Sequence, residues 1–120
     1  MDIKYFKKLR ILDGGMGQEL LARGLVTKGT LWSASALLDK KNYKLIIDTH
    51  LSFIDAGADV ILTNTFTTRR VRMIQNQVNN LFNFANKKAC ELAIEAKKLS
   101  KKKILIAGSI PAQNDTYEPD

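Results

Sequence analysis

Two kinds of apolar pattern alternate along the chain. Ile11-Leu12, Val60-Ile61-Leu62 and Ile104-Leu105-Ile106-Ala107 are short continuous runs, as expected of strands covered on both faces. Between them, apolar residues recur at helical spacing. A short helix is expected from about Gln18 to Arg23, with Gly24 as its stop. Thr30 to Leu38 reads as a second short, helix-like segment. Asp39 is placed to cap a helix carrying Tyr43, Ile46, Ile47, His50, Leu51 and Ile54, which ends at Gly57. A long helix, or a helix with a break, is expected from about Arg69 to Leu99, with Leu81, Phe84, Ala85, Lys88, Leu92, Ile94 and Leu99 inward. The tail from Pro111 to Asp120 is polar and loop-like.

Strand–helix alternation of this kind predicts an α/β fold with a parallel sheet and helical crossovers. Every predicted strand runs into glycine or hydroxyl residues: Asp13-Gly14-Gly15, Asn64-Thr65 and Gly108-Ser109. Parallel α/β folds bind ligands at the carboxyl ends of their strands, so these three groups are expected at one end of the sheet. Three parallel strands leave two raw edges. The 120 residues therefore read as one piece of a larger α/β domain, apparently incomplete.

Composition narrows the classes. Apolar residues make up 45% and charged residues 26%, which argues against wholesale disorder. A single cysteine, Cys90, excludes an intramolecular disulfide framework and an all-cysteine metal site within the chain. No apolar run nears the roughly 18 residues of a membrane span, and the polar start does not read as a secretory signal. The expected location is cytoplasmic, with no membrane partner. The net charge of +7 is concentrated between Arg69 and Lys103, a stretch with ten basic and two acidic residues. Lysine pairs without interleaved aromatics are a weak nucleic-acid signal. A solvated helix face is the plainer reading, and a nucleic-acid partner is not expected.

Taken together, the blocks resemble the homocysteine S-methyltransferase family. Ile11 to Leu20, with Asp13-Gly14-Gly15-Met16-Gly17, is similar to the family's opening. Leu31-Trp32-Ser33-Ala34 is similar to its next segment, Asp55 to Phe66 to its second strand and exit loop, and Ala107-Gly108-Ser109-Ile110 to its third. The blocks stand in the family's order and cover nearly the whole chain from about residue 9. The resemblance implies a parallel (β/α)8 TIM-type barrel of roughly 250 residues or more, of which this chain supplies about the first three β/α units. It also implies methyl transfer to the homocysteine thiol, giving methionine, from a donor such as S-methylmethionine, S-adenosylmethionine, betaine or a folate–cobalamin system.

Such chemistry needs a thiolate, and a free thiol has a pKa of ~8.5. The resemblance implies zinc as the activating ion, with cysteine ligands in a later part of the barrel that this chain does not contain. Cys90, on the long helix, is expected to be a partly buried packing residue, and His50 a packing or surface histidine. By resemblance, Asp13 holds the α-ammonium of homocysteine, and the Gly14 and Gly15 amides hold its α-carboxylate. Asn64, Thr65 and Ser109 line the same pocket. Trp32 and Phe66 are candidate walls, and Glu19 is either a motif residue or a first-turn helix acid. The competing reading is a catalytically inactive α/β module whose basic helix binds an acidic partner or nucleic acid.

Overall fold

The computed structural model describes residues 2–112. Its sheet contains two three-residue parallel strands, β1 (Val60–Leu62) and β2 (Leu105–Ala107), with Val60 opposite Leu105 and Leu62 opposite Ala107. Ile11-Leu12 does not extend into a strand. Leu12 makes one parallel bridge to Val60, with the Asp13 N–H donating to the Val60 carbonyl at 3.0 Å. β1 therefore lies between the Leu12 segment and β2, an α/β arrangement with parallel pairing. The expected TIM-type closure requires more strands than the two in the described residues.

Four α-helices surround this sheet: α1 (Met16–Ala22), α2 (Tyr43–Asp55), α3 (Arg70–Gln75) and α4 (Phe82–Ser100). The expected turn signals sit where they were read. Gly24 and Gly57 follow α1 and α2 at φ of +95° and +111°, a conformation that only glycine adopts without strain. Asp39 caps a 3-10 turn (Lys40–Asn42) that runs into α2, accepting the Lys41 N–H at 3.1 Å. The predicted long helix is broken between α3 and α4, where Gln77 turns at φ +58° and Asn79–Leu81 forms a 3-10 turn.

The inward face of α4 matches the expected one at Ala85 and Leu92 and departs from it at Phe84, Ile94 and Leu99. Ala85, Ala89, Leu92, Ala93 and Ala96 are buried, at spacings of three and four, whereas Phe84, Ile94 and Leu99 are exposed. Lys88 is half-buried and pairs with Glu91. α4 packs along α2, and small alanines let two helix backbones approach closely. Phe84, Ile94 and Leu99 are turned to the opposite flank. Cys90 stands on that side too, exposed rather than partly buried.

Two apolar clusters hold the layers. The larger includes Leu20, Leu37, Ile46, Met73 and Leu92 between α1, α2, α3 and α4. The smaller, of Ile54, Ala58, Ile61, Ala93 and Ile104, lies under the sheet. β1 is buried at Val60 and Ile61 as its continuous run predicts, while β2 is half-buried and pairs only with β1 among the described residues.

His50 is fully buried on α2, and neither imidazole nitrogen has a hydrogen-bond partner among the described residues. Loss of solvation pushes its pKa down from 6.5 to about 4. The folded state thus binds the proton less tightly than the unfolded chain. Stability contributed by the neutral ring is complete above pH 6.5 and is lost as pH falls toward about 4. The urea midpoint should drop across that window, and His50→Gln should flatten the drop.

Candidate active site

The strand ends converge as the sequence predicts. Asp13, Asn64 and Ser109 meet with Gly14 and Gly15 around one open cleft of about 330 Å³. Parallel pairing carries Asp13, Thr63-Asn64 and Gly108-Ser109 to the same end, and short hydrogen bonds lock the exits together. The Thr63 N–H donates to the Ala107 carbonyl at 2.9 Å. The Leu62 N–H donates to Asp13 Oδ2 at 2.8 Å. Asp13 is thus oriented by the backbone of β1, without a cationic partner of its own among the described residues. Partial burial pushes its carboxyl pKa above the ordinary 3.8, and the Leu62 hydrogen bond works against that rise. A half-buried carboxylate held by a backbone amide is a site for a cation that brings its own hydrogen-bond donors.

Beside it, the N–H groups of Gly14 and Gly15 have no acceptor among the described residues. Gly14 is required for packing as well: a Cβ there would lie 2.8 Å from Phe53 Cε1. Gly17 admits the Trp32 ring, since its Cβ would stand 3.0 Å from Trp32 Cζ2. Carboxylate and bare amides side by side offer complementary charge to a zwitterion.

Trp32 and Phe66 both line the cleft, as expected of walls. Trp32 sits inside the Gly29–Leu38 3-10 segment at φ +46°, ψ −120°, a strained conformation for a bulky residue. Sequence reasoning missed what holds it there. Thr67 Oγ1 donates to the Leu31 carbonyl at 2.6 Å and accepts the Ala34 N–H at 3.2 Å. Asn64 Nδ2 donates to the Ser33 carbonyl at 3.0 Å. The chain is therefore pinned on both sides of Trp32. The hydroxyl run Thr63-Asn64-Thr65-Phe66-Thr67-Thr68 was the available signal. Thr67→Val should destabilise the fold by ~1–3 kcal/mol and shift Trp32 fluorescence to longer wavelength, both readable in one urea titration.

Asn64 is buried and serves cleft and backbone together. Thr65 is not brought into this cleft. Its hydroxyl lies 2.9 Å from Thr63 Oγ1 and donates to the Ser109 carbonyl at 3.0 Å, and it lines a neighbouring cavity. Glu19 pairs with Arg23 at 2.8 Å on the flank of α1. The basic stretch is partly answered by local acids, with Lys102 at 3.1 Å from Asp55 and Lys88 on Glu91.

Known proteins share both sequence and shape. The homocysteine S-methyltransferase family profile matches residues 10–120. Homocysteine S-methyltransferase 2 of Zea mays is 32% identical over 94 residues, covering 74% of this chain and 26% of the relative. Homocysteine S-methyltransferase 2 of Saccharomyces cerevisiae is 29% identical over 92 residues, 64% of this chain and 28% of the relative. The chain thus spans about a quarter of the length of these two relatives. The crystal structure of the homocysteine methyltransferase MmuM from Escherichia coli, metallated form, superposes with a TM-score of 0.75 at 29% identity, over 91% of this chain and 40% of that one. With profile, relatives and backbone in agreement over the segment that builds the cleft, the chain belongs to the homocysteine S-methyltransferase family.

Proposed function

We propose that the chain forms the amino-acid-gripping part of a methyltransferase pocket, and that its strands are the opening units of a (β/α)8 barrel. In this reading a methyl group passes from an activated donor to the homocysteine thiol, giving methionine. The observation that carries it is the pairing of a half-buried Asp13 with the bare Gly14 and Gly15 amides at one strand end. Homocysteine carries an ammonium and a carboxylate on one carbon, and this pair matches both. The Leu62 N–H fixes Asp13 Oδ2, leaving Oδ1 to accept from the ammonium.

The rest of the work assigned to this chain is orientation. Fixing the head group aims the sulfur, so that sulfur, methyl carbon and leaving atom fall in line. The thiol reacts as its thiolate, after its proton has passed to solvent water. The sulfur–methyl bond then forms as the methyl–donor bond breaks, with that electron pair departing on the donor atom. Trp32 and Phe66 shield one side of the path from water. Zinc would supply the thiolate, but the residues present do not fit it. Among the described residues no group of three or more His, Cys, Asp or Glu is placed to hold a metal. Cys90 is exposed on α4, and His50 is sealed in the core.

Isothermal titration of the 120-residue chain with L-homocysteine tests the reading. Saturable binding is expected, together with weaker binding of homocysteine analogues that lack either the amino or the carboxyl group. Equal affinity for those analogues would refute it.

A further inference from the structure

Ser109 reaches the cleft on a segment whose neighbours are not packed. Gly108 is exposed, and Ile110 is 92% exposed. Yet both backbone groups of Ser109 are taken, and by side chains from the exit of the other strand. Its N–H donates to Thr63 Oγ1 at 3.3 Å, and its carbonyl accepts from Thr65 Oγ1 at 3.0 Å. The two threonine oxygens lie 2.9 Å apart, and both threonines are buried.

Counting protons fixes the direction of every bond. A hydroxyl has one proton to give. Thr65 spends its own on the Ser109 carbonyl, so in the contact between the threonines it accepts. Thr63 is the donor there, and its oxygen also accepts the Ser109 N–H. The bonds close a ring that starts and ends on one residue: Ser109 N–H to Thr63, Thr63 to Thr65, Thr65 to the Ser109 carbonyl. Donors and acceptors chained in this way strengthen one another. The ring stands on the sheet, because the Thr63 N–H is itself fixed to the Ala107 carbonyl at 2.9 Å.

The ring leaves over the Ser109 hydroxyl, which has no partner among the described residues. Ser109 lines the cleft together with Asp13, Gly14 and Gly15. An ammonium group brings three N–H donors. Asp13 has Oδ1 left for one of them, since Oδ2 is held by the Leu62 N–H. A hydroxyl oxygen on the same cleft is an acceptor for a second.

We propose that the ring of Thr63, Thr65 and the Ser109 backbone aims the Ser109 hydroxyl at the α-ammonium of the bound amino acid. Thr63 and Thr65 are then positioning residues, acting through Ser109 on recognition of the amino group. The proposal rests on the homocysteine reading of the cleft.

Two ligands separate this role from general support of the fold: L-homocysteine, and 4-mercaptobutanoate, which lacks the amino group. Ser109→Ala should weaken homocysteine binding by about tenfold, the size of one hydrogen bond to a charged group, and 4-mercaptobutanoate binding by less than about twofold. Thr65→Val keeps the shape without the hydroxyl and should reproduce that selective loss. Thr65→Ser keeps the hydroxyl and should hold homocysteine affinity within about twofold of the parent. Adding Thr65→Val to Ser109→Ala should cost less than about twofold more, because the two residues act as one unit. If Thr65→Val fails to fold, Ser109→Ala and amide exchange in the unaltered chain decide: the Ser109 N–H should exchange at least about tenfold more slowly than that of Ile110. Equal losses for the two ligands in Ser109→Ala, additive losses in the double variant, or a Ser109 amide as fast as that of Ile110 would overturn the proposal. A parent chain that binds 4-mercaptobutanoate as tightly as homocysteine would instead count against the reading of the cleft itself.

Discussion

Asp13→Asn should weaken homocysteine binding by roughly 10- to 100-fold while leaving thermal stability equal or higher. The loss follows from exchanging a carboxylate for an amide opposite an ammonium, since hydrogen bonds between charged groups contribute about 1.5–3 kcal/mol. The stability side follows from the raised carboxyl pKa, whose main cause is burial. The folded chain holds that proton more tightly than the unfolded chain. The ionised group therefore opposes folding at neutral pH, and its penalty is relieved as pH falls through the raised pKa toward the ordinary 3.8. Asparagine removes the charge and keeps an oxygen for the Leu62 N–H. The same reasoning gives a pH profile for the parent: homocysteine affinity should fall on acidification with a midpoint above 3.8. A variant that lost affinity because it was misfolded would lose stability as well, so calorimetry and thermal denaturation together separate the two explanations.

The largest stability effect is expected at Ile61. It is fully buried in β1, sits opposite Ile106, and packs in the small cluster with Ile54, Ala93 and Ile104. Truncating such a residue to alanine costs about 2–5 kcal/mol, through lost burial and the cavity left behind. A domain of this size is stable by only roughly 0.05–0.15 kcal/mol per residue. Ile61→Ala should therefore move the urea midpoint by about 1 M or more, given slopes of roughly 1–3 kcal/mol/M. Ile94→Ala is the matched control. Ile94 is 45% exposed on the outer flank of α4, and its truncation should change stability by under about 0.5 kcal/mol. A large loss at Ile94 would mean that α4 is turned the other way.

The sequence carried some of this plainly. Continuous apolar runs marked β1 and β2, because a strand covered on both faces has no polar alternation. Gly24, Gly57 and Asp39 marked helix ends, because their local chemistry does not depend on tertiary packing. The meeting of Asp13, Gly14, Gly15, Asn64 and Ser109 followed from parallel pairing alone. The orientation of α4 was legible only in part, at Ala85 and Leu92. A reading that sends large apolar residues inward fails where two helices touch through alanines, as α2 and α4 do. The two-residue run Ile11-Leu12 is too short to show that it would make only one bridge. Trp32 was legible as a wall but not as a strained residue, since its φ of +46° is imposed by Thr67 and Asn64 from another part of the chain. Thr65 was placed in the pocket by resemblance, with Asn64 beside it, yet successive residues leaving a strand diverge, and its hydroxyl turns to Ser109.

The most direct test of the central claim is a backbone amide NMR titration of the unaltered chain with L-homocysteine. The amides of Gly14, Gly15 and Leu62 should shift first and saturate together, because the ligand's head group sits on the first two and on the carboxylate held by the third. Saturable shifts confined to other regions, with those three amides unmoved, would contradict the account.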